Sequence, residues 1–335
     1  MNLINQSLIG KASKINIYSP WGVLLLPSHT RITKEHIKKL QKHDITLNRS
    51  EVTDYNPSKY LEVIDRAVPR VKDVFNEVRQ TLKIPLEQLQ DNVVPIITDI
   101  TDGSHLINLF SSLQAKDDYT YRHNLAVGAI SNLIGKWLDL AEDEVVELSL
   151  AGLLHDVGKM RIPETILNKP GRLTDEEFDE MKKHTIYGYE LIKETPASNY
   201  LHALIALQHH ERMDGSGYPF GLTGDKIHLF SRIVSVADVF HAMSSKRIYK
   251  DALPFYEILF QMNQDSFGIL DPKITRLFIE RTMDSLIGNS VVLTDGREGT
   301  IIMVHKNDPL HPILQIDDSY VDLRENSSIF IEKVM

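Results

Sequence analysis

The chain carries the sequence LLHDVGK at Leu153–Lys159, where an apolar helical pattern ends. The pattern predicts a helix over Glu142–Val157 that the following glycine terminates. Burying His155 and Asp156 side by side, directly after two leucines, is unfavourable by several kcal/mol unless another group compensates for the lost hydration. This short segment therefore indicates a polar centre inside a helical part of the protein.

Further polar residues occur in equally apolar surroundings on either side of this segment. They are His123, His209, His210 and Asp238. A single histidine of this kind is more often a core residue that makes its own hydrogen bonds, and a buried aspartate is usually a cap or an ion-pair partner. Two adjacent pairs and a further buried carboxylate in one helical region favour a metal centre instead.

The donor atoms restrict the metal chemistry. Nitrogen and oxygen ligands without sulfur suit iron, manganese, zinc, nickel or cobalt. A carboxylate such as Asp156 can bridge two ions, and two ions about 3.5–4 Å apart can activate a hydroxide for in-line attack on phosphorus.

Composition restricts the class of protein. The 335 residues are enough for two or three domains. The absence of cysteine excludes disulfides and thiolate sites, and it fits a reducing compartment. A net charge of −9 argues against polymeric nucleic acid as a partner. No secretory signal and no run of about 18 apolar residues is visible, so we expect a cytoplasmic protein without a membrane partner.

The hydrophobic patterning changes twice along the chain and predicts a mainly α protein. We expect a small α/β accessory or regulatory domain with a connecting helix, a helical-bundle catalytic domain, and a small β-rich C-terminal segment. Their predicted ranges are 1–85, 86–287 and 288–335.

Local signals add detail to this division. Thr33 is a plausible N-cap for a helix in the first domain, and Pro69 is expected to kink or interrupt the helical stripe over 59–82. Thr174 and Glu177 form a capping-box pattern that starts a helix extending to His184.

The motifs then identify a relative. HDVGK at His155–Lys159 and HHERMDGSGYP at His209–Pro219 resemble the HD-GYP family of the HD phosphohydrolase superfamily. Ile162–His184 and Arg232–Lys250 are similar to the same family, and the resemblance covers about residues 100–285. Several separated motifs in the right order make it highly specific.

The resemblance implies a helical bundle with two or three metal ions that hydrolyses cyclic di-GMP to linear pGpG and, in some members, on to GMP. The positions that match metal ligands are His123, His155, Asp156, His184, His209, His210 and Asp238. Asp156 and Lys159 are thereby implied as catalytic, while Lys159, Tyr218, Arg247 and Lys250 match substrate contacts.

Chemistry supports some of these roles and leaves others open. Lys159 could stabilise the charge that grows on the phosphoryl oxygens, and Arg247 suits bidentate phosphate contact better than Lys250. Tyr218 either meets the ligand or merely staples a glycine-rich turn. Glu211 is either a hydrogen-bond partner of a ligating histidine or a helix cap.

Two positions depart from the family pattern. Members with three metals have a glutamate four residues before the first ligand histidine, where this chain has Tyr119. We therefore expect two divalent ions, with iron or manganese preferred among the transition metals. A weaker alternative is that Asp118 or water takes the place of the missing glutamate. The second departure is His241, where the family usually has aspartate, and it could bond to a ligand, bind metal itself or alter activity.

Two other functions remain open. The chain could be a signalling effector that binds the dinucleotide or a protein and hardly turns over, or a hydrolase of another nucleotide. Protein partners could bind through the GYP loop, which Gly217, Tyr218 and Pro219 form, and a homodimer is also compatible with the sequence.

Overall fold

The computed structural model describes residues 7–21, 24–26, 31–54, 58–102, 106–114, 118–244, 254–317, 319–326 and 328–334. Its contacts divide the chain into two compact units. The first unit contains Met1–Tyr60, Gly103–Ser111 and Ile279–Met335, and the second contains Leu61–Asp102 and Ser112–Phe278.

The N-terminal part of the first unit is a small α/β structure, as the sequence predicts. Strand β1 (Lys11–Ser13) pairs antiparallel with β4 (Val52–Asp54), and β2 (Ile17–Tyr18) pairs with β3 (Leu24–Leu26). Helix α1 (Lys34–Lys42) begins after Thr33, whose hydroxyl accepts a hydrogen bond from the backbone N–H of His36. Its core consists of Leu8, Ile17, Leu25, Leu26, Ile32, Ile37, Leu40, Leu47 and Val52.

The C-terminal part of the first unit is a five-stranded antiparallel sheet, which confirms the β-rich segment. The strands are β5 (Ser290–Leu293), β6 (Glu298–His305), β7 (Asp308–Ile316), β8 (Ser319–Asp322) and β9 (Ile331–Val334), in the order β8-β7-β6-β5-β9. Strand β8 had no sequence signal, because this short edge strand is mostly solvent-accessible and lacks an apolar face.

The described chain contains thirteen further α-helices. They are α2 (Ser58–Thr81), α3 (Leu86–Asn92), α4 (Val94–Thr101), α5 (Leu106–Leu113), α6 (Tyr119–Trp137), α7 (Glu142–Leu154), α8 (Glu164–Leu167), α9 (Asp175–Lys182), α10 (His184–Lys193), α11 (Tyr200–Gln208), α12 (Leu229–Ser244), α13 (Phe255–Asp265) and α14 (Pro272–Asp284). Helix α2 continues through Pro69, so no interruption occurs there. Among the described helices, none combines the length and hydropathy needed to cross a bilayer.

A buried polar network links three helices of the second unit. The hydroxyl of Thr101 on α4 donates to the side-chain oxygen of Asn132 on α6 at 2.7 Å. The Asn132 amide in turn donates to the hydroxyl of Ser149 on α7 at 2.9 Å. Satisfied buried hydrogen bonds of this kind fix the relative positions of helices, and α6 and α7 both carry predicted metal ligands.

Candidate metal centre

The structure brings the seven predicted ligands together in two clusters. The Asp156 cluster consists of Asp156, His184, His209 and His210; the His123 cluster consists of His123, His155 and Asp238. Within each cluster the potential ligand atoms lie within 4.8 Å of one another. Six of the seven residues are buried, and His210 is half-buried.

These residues come from the ends or interiors of five helices. His155 and Asp156 directly follow α7, His184 is the first residue of α10, and His209 and His210 directly follow α11. His123 and Asp238 lie within α6 and α12. Residues that are far apart in the sequence therefore converge because the helices that carry them pack together.

The two carboxylate oxygens of Asp156 face different clusters. Oδ1 lies 3.3 Å from Nε2 of His184 and 3.8 Å from Nε2 of His209. Oδ2 lies 3.3 Å from Nε2 of His155 and 3.8 Å from Nε2 of His123. Asp156 thus occupies the position that a bridging carboxylate between two cations would need.

Backbone carbonyls orient three of the imidazoles. The Nδ1 atoms of His155, His184 and His209 lie 2.7, 2.7 and 2.9 Å from the carbonyl oxygens of Gly152, Met181 and Ala206, respectively. A carbonyl only accepts, so each Nδ1 carries the proton and each Nε2 presents a lone pair toward Asp156. This is the usual way in which proteins fix the tautomer of a metal-ligating histidine.

Two acceptor atoms face one another without a proton between them. With its hydrogen on Nδ1, His155 directs the Nε2 lone pair toward the Asp156 carboxylate. Within the described residues, Nε2 of His155 has no partner in hydrogen-bond geometry, and neither has Oδ1 of Asp156, which faces the Nε2 atoms of His184 and His209. Buried acceptors in this arrangement need a cation between them, and the all-nitrogen-and-oxygen donor set fits a transition metal.

The electrostatics of the centre keep most imidazoles neutral and the carboxylates charged. Burial lowers the pKa of His184 to about 4, and burial also lowers the pKa values of His123, His209 and His210. Burial would raise the pKa of Asp156, but Lys159 and His155 hold it well below its usual range. Burial likewise opposes ionisation of Asp238, but its close contact with His123 and the nearby imidazoles lower its pKa. Neutral imidazoles and ionised carboxylates are the forms that bind metals.

One histidine titrates in the opposite direction. Burial lowers the pKa of His155, yet the charge and hydrogen bonding of Asp156 outweigh burial, so the pKa is raised overall.

Gly158 allows the HD segment to approach the next ligand. A Cβ atom at this position would lie 1.9 Å from the carbonyl oxygen of His184 and 2.3 Å from the backbone nitrogen of Gly188. Only a glycine leaves room for the 3₁₀ turn over Val157–Arg161 to pack directly on the start of α10. The glycine of the motif thus contributes to placing His184 beside Asp156.

The predicted catalytic lysine lies at the centre as well. The Lys159 ammonium donates to Oδ2 of Asp156, and the lysine side chain is 25% exposed. Lys159 therefore places a positive charge at the solvent-accessible side of the two clusters. The predicted phosphate contacts Arg247 and Lys250 lie outside the described residues.

Tyr218 lies beside the Asp156 cluster. Its ring stacks on that of His210 with centroids 4.6 Å apart, and its edge meets His184 at 6.3 Å. Gly217 makes this possible, because a Cβ there would lie 2.4 Å from both the backbone nitrogen of Arg212 and the carbonyl oxygen of His210.

Glu211 has a different role from either that the sequence suggested. Its Oε1 accepts from the backbone N–H of Phe220 and its Oε2 from that of Leu222, both at 2.8 Å. The side chain therefore holds the loop that follows the GYP sequence rather than orienting a ligand histidine. The signal available in the sequence was a carboxylate beside a glycine-rich loop, whose backbone N–H groups need acceptors.

The structure shows the contacts that Tyr119 and His241, the two departures from the family pattern, make at the centre. Tyr119 stacks on the ring of His123, with centroids 5.5 Å apart. The carboxylate of Asp118 pairs with Lys72 at 2.8 Å and belongs to neither cluster. His241 lies beside His123, with their Nδ1 atoms 2.9 Å apart.

Comparison with known proteins agrees with this architecture. A sequence profile of the HD domain matches residues 108–274, which include all seven residues of the two clusters. The chain belongs to the HD-GYP family of HD domains. It is 35% identical to the cyclic di-GMP phosphodiesterase PA4108 of Pseudomonas aeruginosa over 75% of this chain and 60% of that protein. It is 37% identical to a cyclic di-GMP phosphodiesterase of Thermotoga maritima over 61% of this chain and 56% of that one.

A solved structure supports the fold of this HD-GYP protein. Bd1817, an HDG"Y"P protein from Bdellovibrio bacteriovorus, superimposes with a TM-score of 0.54 over 81% of this chain and 93% of its own, at 18% identity. The chain spans 56–60% of the length of the two curated relatives.

Proposed function

We propose that the chain is a metal-dependent phosphodiesterase that hydrolyses cyclic di-GMP to linear pGpG. The observation that carries the proposal is the position of Asp156, whose two oxygens face two separate groups of imidazole nitrogens. The similarity to two curated cyclic di-GMP phosphodiesterases supports the choice of substrate. In the reaction, water adds to one phosphorus and the bond from that phosphorus to O3′ breaks.

Two divalent cations fit the donor atoms, one at each cluster, with Asp156 between them. Cations at these positions would supply Lewis acidity and lower the pKa of a water molecule so that it can attack phosphorus. Iron and manganese are our preferred identities because the ligands are imidazoles and carboxylates without thiolate.

The protein residues of the site have complementary roles in this proposal. Lys159 stabilises the negative charge that develops on the phosphoryl oxygens, since its ammonium lies at the exposed side of Asp156. Tyr218 borders the site next to His210 and limits where the dinucleotide can bind. Arg247 and Lys250 remain predicted phosphate contacts.

Several finer features stay predictions. They include the domain boundaries 1–85, 86–287 and 288–335, further hydrolysis of pGpG to GMP, protein partners at the GYP loop, and a homodimer. Cytoplasmic localisation is likewise a prediction from the sequence.

The test uses the full chain and its Asp156→Ala variant. We expect the native protein to bind metal and to convert cyclic di-GMP to pGpG, followed by chromatography. Asp156→Ala should lose bound metal and turnover together while its circular dichroism stays helical, because both clusters share this carboxylate. Asp73→Ala, an exposed aspartate on α2, is the matched control and should behave as native.

The same assay separates the competing functions. An effector would bind cyclic di-GMP without forming pGpG, and a hydrolase of another nucleotide would leave cyclic di-GMP intact. Full turnover by Asp156→Ala would remove the bridging carboxylate from the proposal.

A further inference from the structure

His123 differs from three other imidazoles of the centre in how its outer nitrogen is held. His155, His184 and His209 each place Nδ1 against the carbonyl of the residue three positions earlier. Nδ1 of His123 instead lies 2.9 Å from Nδ1 of His241. An imidazole nitrogen can donate or accept, so this contact alone does not determine which nitrogen of His123 carries hydrogen.

A backbone carbonyl on another helix removes the ambiguity. Nε2 of His241 lies 3.1 Å from the carbonyl oxygen of Leu113, the last residue of α5. Because that oxygen only accepts, Nε2 of His241 carries a hydrogen, and in neutral His241 the Nδ1 atom is then an acceptor. The facing Nδ1 of His123 must donate, which leaves its Nε2 with a free lone pair.

The lone pair of His123 is directed at the centre. Nε2 of His123 lies 3.1 Å from Oδ1 of Asp238 and 3.8 Å from Oδ2 of Asp156. Both His123 and His241 are almost fully buried, so water does not compete for these contacts. Leu113 and His241 together therefore fix the tautomer of His123, as a single backbone carbonyl does for each of the three other imidazoles.

We propose that His241 is a positioning residue that holds His123 in the tautomer with hydrogen on Nδ1 and thereby presents Nε2 to a cation in the His123 cluster. The inference rests on the proposed function only in taking this cluster as a metal site. His241 is not an additional ligand, because both of its ring nitrogens are occupied by His123 and Leu113.

Substitutions at His241 separate acceptor chemistry from packing. His241→Leu fills much of the same space but cannot accept from His123. His241→Asn retains an acceptor near the position of Nδ1 while losing the reach to Leu113. His202→Leu is the matched control, since it also removes a buried histidine, one that pairs with Glu147 at 2.8 Å.

The first measurement is made on the full chain without metal. Long-range ¹H–¹⁵N spectra of histidine-labelled protein distinguish the two tautomers, and a His123→Asn sample identifies the signal of His123. We expect the Nδ1–H tautomer in the native chain, in His202→Leu and in His241→Asn. In His241→Leu the hydrogen should move to Nε2, where Asp238 accepts it.

The second measurement is a Mn²⁺ titration of the same four proteins. In His241→Leu one of the two Mn²⁺ equivalents should bind about 10–100-fold more weakly, which is the usual effect of losing a partner of a ligating histidine. The other equivalent should be unchanged, and His241→Asn should restore most of the lost affinity.

Two results overturn the inference: an unchanged His123 tautomer in His241→Leu, or an equal loss of Mn²⁺ affinity in His241→Asn and His241→Leu. Neither measurement uses cyclic di-GMP. A chain that binds Mn²⁺ as expected but forms no pGpG would therefore contradict the proposed function and leave this inference standing.

Discussion

The ring of Tyr218 stacks on the ring of His210, with centroids 4.6 Å apart and planes inclined by 26°. The backbone N–H of Tyr218 also donates to the carbonyl oxygen of His210 at 3.2 Å. The GYP loop is therefore packed against a candidate ligand and its neighbours rather than extending freely from them. Substitutions in the loop should therefore change the position of His210 and its neighbours at the metal centre.

Gly217→Ala should displace this loop. The new methyl group would collide with backbone atoms of His210 and Arg212, which cannot rotate away as a flexible side chain could. We expect a loss of about 1–3 kcal/mol in the free energy of unfolding and at least about a tenfold fall in pGpG formation. Gly224→Ala is the control, because no described atom lies within 4 Å of its Cβ position and its positive φ of 52° costs only about 1 kcal/mol. Native activity and stability in Gly217→Ala would contradict the steric argument.

Glu211→Gln should weaken the anchoring of the same loop. The native carboxylate accepts from two backbone N–H groups, whereas an amide offers one oxygen and opposes the second N–H with its own donor. One buried donor is left unsatisfied, at about 1–3 kcal/mol. Urea unfolding measures the loss. Glu62→Gln, an exposed glutamate on α2, should show almost none.

Lys159→Gln tests electrostatic stabilisation separately from metal binding. The variant keeps a polar side chain but removes the positive charge beside Asp156. We expect kcat for cyclic di-GMP to fall about 10²–10³-fold, with bound metal close to the native amount. Lys182→Gln removes a lysine that pairs with Asp179 on the surface and should leave kcat unchanged. If both variants turn over equally well, Lys159 has no role in the chemical step.

The stability of the metal-free protein should fall with acidity. The unfolded chain takes up a proton on His184 near pH 6.5, but the folded chain does so only near pH 4. Between these values the unfolded state binds more protons, so the free energy of unfolding decreases as the pH falls through this window, by about 3 kcal/mol for His184 alone. His123, His209 and His210 act in the same direction, whereas His155, with its raised pKa, acts against them.

Urea unfolding at about pH 7.5, 6 and 5 provides the measurement. His184→Gln should show a shallower decrease than the native chain because it removes one of the titrating groups. An unfolding free energy that stays constant from pH 7.5 to 5 would mean that these imidazoles are not held neutral.

Much of the fold could be predicted because its signals are local. The cap at Thr33 and the capping box at Thr174 formed as expected, although the helix after Thr174 ends at Lys182 and His184 begins the next helix. The missed strand β8 and the unbroken helix through Pro69 show where local preference is a poor guide. An edge strand depends on its neighbour for pairing, and burial of the residues around Pro69 stabilises a helix that proline alone would weaken.

Six of the seven candidate ligands could be named in advance, because a histidine or aspartate beside apolar residues is conspicuous in a sequence, whereas His184 follows polar residues and was implied only by the family resemblance. The tautomers of these ligands and their hydrogen-bond partners could not be predicted. The partner of His123 is His241, 118 residues later, and the acceptor for His241 is a backbone carbonyl that carries no side-chain signal. The loop contacts of Glu211 could not be predicted for the same reason, since its partners are backbone N–H groups.

The order of residues along the chain thus determined which side chains must be buried together, since hydrophobic patterning fixes the buried face of each helix. Packing of those helices in three dimensions decided which atom meets which, including the division of the Asp156 oxygens between two clusters. The physical reason is the distance along the chain over which each effect acts. Helical propensity and amphipathicity act over a few residues. The direction of a hydrogen bond or lone pair depends on atoms that only the folded chain brings within about 3 Å of each other.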